Sequence, residues 1–151
     1  MTESTLSLFD PATTPALATT LETIRAATLF LFEPRCLISG DPNPANWGLR
    51  DDGTLVLYDW ERCTLGSPDI DLAITVPGLG SWAAFERVAA VYSDTVPQSD
   101  PRQLAVDIAR AKVWSVIEFL AGYAQGTIAP AFPVELLLDE FSEWMMDVGS
   151  W

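Results

Sequence analysis

Asp41, Asn46 and Asp59 are the residues of this chain whose types and spacing could do chemistry. Asp41 and Asn46 lie in Ser39-Gly40-Asp41-Pro42-Asn43-Pro44-Ala45-Asn46, and Asp59 lies in Leu57-Tyr58-Asp59-Trp60-Glu61. A carboxamide oxygen and a carboxylate are hard donors suited to Mg2+, and a loop aspartate can accept the proton of an attacking hydroxyl. Phosphoryl transfer asks for little more than an aligned nucleophile and neutralised negative charge. Each residue taken alone is an ordinary turn former, because Asx side chains crowd into turns. Taken together with the trailing Gly66-Ser67-Pro68-Asp69-Ile70-Asp71-Leu72-Ala73, they point to a magnesium–phosphate site.

Those three residues must be positioned by neighbouring elements. Cys36-Leu37-Ile38 reads as a short strand feeding a loop in which Pro42 and Pro44 preclude regular structure. Trp47-Gly48-Leu49 and Leu55-Val56-Leu57-Tyr58 flank Arg50-Asp51-Asp52-Gly53, and Asp-Gly between apolar segments predicts a hairpin. Such a hairpin would set Asn46, at the start of one strand, beside Asp59, at the end of the other.

Upstream, residues 1–14 are rich in Thr, Ser and Pro and are expected to form a loose leader before a single lobe over 15–151. Leu17, Leu21, Ile24 and Leu31 recur at helical intervals between Pro15 and about Phe32. Downstream, helices are expected over 82–94 (capped by Ser81), 100–123 (opened by Asp100-Pro101 and stopped by Gly126) and 134–148. The last of these should turn Leu136, Leu137, Phe141 and Trp144 or Met145 inward. The expected fold class is α+β and mainly α-helical, with a small hairpin carrying the metal ligands inside 36–74 and a helical acceptor-side subdomain over 81–148.

Composition removes several chemistries. The 151 residues include no His and only two cysteines, Cys36 and Cys63, without CxxC spacing. Zinc sites of the Cys/His type, Ser-His-Asp triads and Cys–His pairs are thereby excluded. The cysteines are expected to be small buried hydrophobes in a reducing compartment. A hydrophobic share of 49% with 19% charged residues suits a globular domain with its own core. Net charge is −13, from 21 acidic and 8 basic residues, which repels nucleic acid and anionic lipid and favours a cationic ligand or partner. Solubility is the simpler role for that acidity. No apolar run approaches the roughly 20 residues needed to span a bilayer. The first ten residues hold Glu3 and Asp10 but no Lys or Arg, so no secretory signal is visible and a cytoplasmic location is expected.

Residues 36–74 resemble the catalytic loop and metal-binding segment of the aminoglycoside phosphotransferase/choline kinase family, which shares the protein-kinase-like superfold. The family pattern His-Gly-Asp-x-His-x-x-Asn, a hairpin, Asp-Trp-Glu and Gly-x-Pro-x-x-Asp-Leu-Ala is matched here at Gly40, Asp41, Pro44, Asn46, Asp59, Trp60, Glu61, Gly66, Pro68, Asp71, Leu72 and Ala73. The resemblance implies a kinase-like C-lobe in which Asp41 is catalytic, Asn46 and Asp59 are Mg2+ ligands, and Asp71 and Ser39 support the catalytic loop. It further implies ATP or GTP as donor and a small-molecule hydroxyl acceptor, cationic for many members. The acceptor would lie on the helical side, where Glu118, Asp139, Glu140 and Glu143 fall.

This chain departs from the pattern by carrying Ser39 and Asn43 where the family has histidines. Only about 35 residues precede the motif, and they include neither a Gly-rich loop nor a lysine; Lys112 is the only lysine in the chain. No N-terminal nucleotide lobe and no nucleotide-binding residue is therefore recognisable. Three readings follow: a magnesium-dependent phosphotransferase, a catalytically inactive lower lobe serving as an interaction module, or a cleft completed by a second copy or a partner chain. For the third, Trp47, Trp60, Trp82 and Leu29-Phe30-Leu31-Phe32 are the apolar candidates.

Overall fold

The computed structural model describes residues 2–33, 35–96, 100–130 and 132–151. Its centre is one long helix, α5 (Pro101–Ala124). Asp100 caps it by accepting from the Arg102 amide at 3.0 Å, and Pro101 supplies a first-turn residue that has no amide to satisfy. At the other end Gly126 takes φ +70°, its amide reaching the Tyr123 carbonyl and that of Thr127 the Gly122 carbonyl, each at 2.9 Å. That is a Schellman stop, and glycine suits the left-handed position it requires.

Helix α5 is buried on most of its circumference, with Ile108, Val113, Ile117 and Leu120 fully enclosed. Around it pack α1 (Thr2–Leu6), α3 (Pro68–Thr75), α4 (Trp82–Thr95) and α6 (Val134–Ser150). Helix α2 (Thr14–Ala27) lies against α6 and buries Leu17, Leu21 and Ile24, and a 3-10 turn follows over Leu29–Phe32. Ser81 occupies the N-cap position of α4, though its hydroxyl makes no capping bond.

An aromatic cluster closes the far end of the bundle. Trp82 and Trp151 meet edge to face at 5.1 Å, and Phe85 lies 6.1 Å from Trp151 and 6.5 Å from Trp144. The Trp144 indole donates to the Gly80 carbonyl at 2.8 Å, which ties α6 to the loop before α4.

The strands form two separate antiparallel ribbons. β1 (Cys36–Ile38) pairs with β4 (Thr64–Gly66), and β2 (Trp47–Leu49) pairs with β3 (Leu55–Leu57). The first ribbon is a stem: it clamps both ends of residues 39–63, from which the second ribbon projects as the expected hairpin. Gly53 turns that hairpin at φ +84°.

Three expectations are corrected. Residues 2–14 are not a loose leader, because α1 packs on α5 and the buried Thr5 hydroxyl donates to the Ile117 carbonyl at 3.1 Å. Cys36 and Cys63 are both exposed, since they sit on the stem and the loop beside it rather than in the core. Leu136 faces solvent at 63% exposure, and Val134 takes the inward place on α6 with Phe141 and Met145. Among the described residues, no helix is long and apolar enough to cross a membrane.

Candidate active site

The loop after β1 is held from below. Asp71 stands in the first turn of α3, and its carboxylate accepts the Ser39 amide at 2.8 Å and the Gly40 amide at 2.9 Å. Charge-assisted bonds of this kind are roughly twice as strong as neutral ones. Ser39 is itself buried, and its hydroxyl oxygen receives the Asp41 amide in a long contact of 3.4 Å. Gly40 takes φ +78°, and a Cβ there would stand 2.5 Å from the Arg62 carbonyl oxygen. The stem thus brings the two ends of the loop so close that only glycine fits.

Asp41 emerges half-buried from this support. The Asn43 amide donates to Asp41 Oδ1 at 2.8 Å, so one carboxylate oxygen is oriented from within the loop. Asn43 Oδ1 in turn accepts the Ala45 amide, capping the 3-10 turn Pro44–Asn46. Asn46 Nδ2 donates to the Asp41 carbonyl at 2.8 Å, which fixes the orientation of that side-chain amide. Across the hairpin, the Tyr58 amide donates to the Asn46 carbonyl at 2.7 Å and extends the β2–β3 ladder by one bond. Asp59 follows immediately, exposed and at φ +57°, the one described non-glycine residue with positive φ.

A cleft of about 320 Å3 opens beside Asp41. Its walls are the 3-10 turn (Leu31, Phe32), α3 (Ile70, Ile74) and α5 (Trp114, Phe119), and Arg62 pairs with Glu118 across it. Of the four acidic residues expected on the acceptor side, Glu118 alone lines this cleft; Asp139, Glu140 and Glu143 are exposed on α6 and do not. Lys112 is buried below, its ammonium donating to the Val76 carbonyl at 2.7 Å, and burial pulls its pKa below the ordinary lysine value. Near the start of α3, burial raises the Asp69 pKa against the opposing bond from the Ser67 hydroxyl, and burial likewise raises that of Asp107.

Mg2+ typically takes one or two protein oxygens and completes its shell with water and phosphate. The amide oxygen of Asn46 and the carboxylate of Asp59 are donors of that type, so the residues present fit the ion. Among the described residues, no group of three or more His, Cys, Asp or Glu side chains is placed to hold a metal ion.

Reasoning from sequence missed the Asn43 bond to Asp41 and the Arg62–Glu118 pair. The first joins two side chains and so differs from the Asx-turn that Asn43 makes with the Ala45 amide, which is the bond a proline-flanked Asn signals. The second had no signal, because the partners lie 56 positions apart.

A family model described as a phosphotransferase enzyme family matches residues 3–127, well over half of the chain. Neither the curated proteins nor the solved structures provide a match. The support of the loop by Asp71, the cleft at Asp41 and the extent of that match agree, and the chain belongs to the phosphotransferase enzyme family.

Proposed function

We propose that this chain is the catalytic lobe of a kinase-type phosphotransferase that moves the γ-phosphoryl group of ATP or GTP to a hydroxyl of a small molecule. The observation that carries the reading is the pair of bonds that Asp71 accepts from the Ser39 and Gly40 amides, which support the loop whose Asp41 lines a cleft large enough for an acceptor. Asp41 would orient the acceptor hydroxyl and take its proton as the oxygen bonds to phosphorus and the bond to the β-phosphate oxygen breaks. With Asn43 occupying Oδ1, Oδ2 is the oxygen that serves. Asn46 and Asp59 would hold Mg2+, which when bound neutralises charge on the phosphates. A cytoplasmic setting suits the two exposed thiols, which stay reduced there.

Calorimetric titration of Mg·ATP, repeated on Asp59→Ala, tests this. Binding that weakens at least tenfold in the variant is expected. No heat and no thermal shift at millimolar Mg·ATP would remove the nucleotide from the reading.

A second reading, in which another chain or a second copy covers this face, is favoured by one specific feature. Leu37 and Leu65 are register partners on the stem, as are Leu49 and Leu55 on the hairpin, and each of the four is at least 60% exposed. Exposed apolar groups clustered in this way mark interaction surfaces. A chain lacking catalysis and acting through that surface would keep its activity in Asp59→Ala. Light scattering that gives a monodisperse monomer would count against self-association.

A further inference from the structure

We propose that the cleft beside Asp41 takes an uncharged alcohol with an aromatic or branched apolar body, and that Arg62 turns the site away from amines by occupying Glu118. This rests on the reading of Asp41 as the group that receives the acceptor hydroxyl. It departs from the cationic acceptor that the net charge of −13 invites.

Net charge describes the whole surface, whereas an acceptor meets only the walls of its cleft. Those walls are mostly apolar: Phe32, Ile74, Trp114 and Phe119 line a space of about 320 Å3. Phe32 and Trp114 form an aromatic corner, edge to face with centroids 6.2 Å apart. Small-ligand sites begin at about this volume and are mostly apolar, with a few polar groups that fix orientation. Here the polar groups are Asp41, Ser115 and the Arg62–Glu118 pair.

An ammonium entering such a cleft leaves water and needs a carboxylate in exchange. Glu118 already has a cation, and Asp41 is the base that the hydroxyl needs. A neutral alcohol needs a single acceptor, and Asp41 provides it while the apolar body gains burial. Arg62 therefore acts as a resident cation that sets selectivity. Both members of the pair are about half exposed, so the pair can open without unfolding anything.

The test is calorimetric titration of the full chain, without nucleotide or magnesium, using 2-phenylethanol, 2-phenylethylamine and glucosamine. The first two have nearly the same shape and differ in charge. The alcohol is expected to bind at least tenfold tighter than the amine, with no detectable binding of glucosamine. Arg62→Gln, a surface change that should fold normally, is expected to free Glu118 and shift the preference toward the amine, relative to the alcohol, about tenfold. Ile74→Trp, checked for folding by circular dichroism, should fill the cleft and abolish binding of the alcohol.

Amine binding as tight as the alcohol in the unaltered protein overturns the proposal. So does absence of alcohol binding, or an Arg62→Gln variant with unchanged preference. These readouts need no nucleotide, so they fail separately from the Mg·ATP titration.

Discussion

Replacing Asp71 by alanine removes the one group that satisfies two neighbouring amides, those of Ser39 and Gly40, at 2.8 and 2.9 Å. Hydrogen bonds to a charged partner contribute about 1.5–3 kcal/mol each, and Asp71 is only half-buried, so the lower end applies. Two such bonds give a loss of about 3 kcal/mol. A domain of this size shifts its melting temperature by about 2–4 °C per kcal/mol, which places Asp71→Ala about 6–12 °C below the unaltered protein. Asp71→Asn keeps one carbonyl oxygen and should lose about half as much. Differential scanning calorimetry gives the shift, and amide hydrogen exchange at Ser39 and Gly40 localises it. The reasoning fails if Asp71→Ala melts within about 2 °C of the unaltered protein and those two amides exchange no faster.

Gly40→Ala should lose stability in urea by more than the roughly 1–2 kcal/mol of left-handed backbone strain, because its Cβ would also stand 2.5 Å from the Arg62 carbonyl oxygen. Lys112→Met removes an ammonium whose pKa burial pulls below 10.5. The unfolded chain binds more protons between the folded pKa and 10.5, so this lysine makes stability rise with pH through that window. Urea midpoints should show Lys112→Met at least as stable as the parent near neutral pH, its advantage shrinking toward pH 10.5. Asp69 has the opposite sign: its folded pKa lies above 3.8, so the folded state binds more protons in the window that begins there and stability falls as pH rises through it. Asp69→Asn should gain melting temperature relative to the parent between about pH 4 and neutrality, measured as a difference between the two proteins.

What could be read in advance was local. The Asp52-Gly53 turn, the Asp100-Pro101 start and the Gly126 stop each depend on one or two residues, and each lies where its chemistry requires. The hairpin Trp47–Leu49 with Leu55–Leu57 likewise follows from Asp-Gly between two apolar segments, a signal carried by adjacent residues. What escaped was set by partners far along the chain. The strand Thr64–Gly66 is three residues long, and it exists because Cys36–Ile38 is there to pair with it. Helix α1 is a polar run with little periodicity, fixed by the Ile117 carbonyl that receives Thr5 more than a hundred positions away. The exposure of Cys36 follows from the stem, in which Cys36 and Leu37 are exposed while Ile38 is buried, and Cys63 lies in the loop that leads into its second strand. The Arg62–Glu118 pair joins two side chains that are ordinary surface residues until α5 and the loop are in place.

The arrangement of the six tryptophans makes the protein its own optical probe. Trp82, Trp144 and Trp151 crowd around Phe85 at one end of the bundle, close enough to exchange excitation energy and partly shielded from water. Trp47 and Trp60 sit on and beside the hairpin, 40% and 50% exposed. Their emission should be red-shifted and open to iodide quenching, while the cluster emits further to the blue and resists it. Detachment of the hairpin and melting of the helices can therefore be followed as two colours in one unlabelled sample.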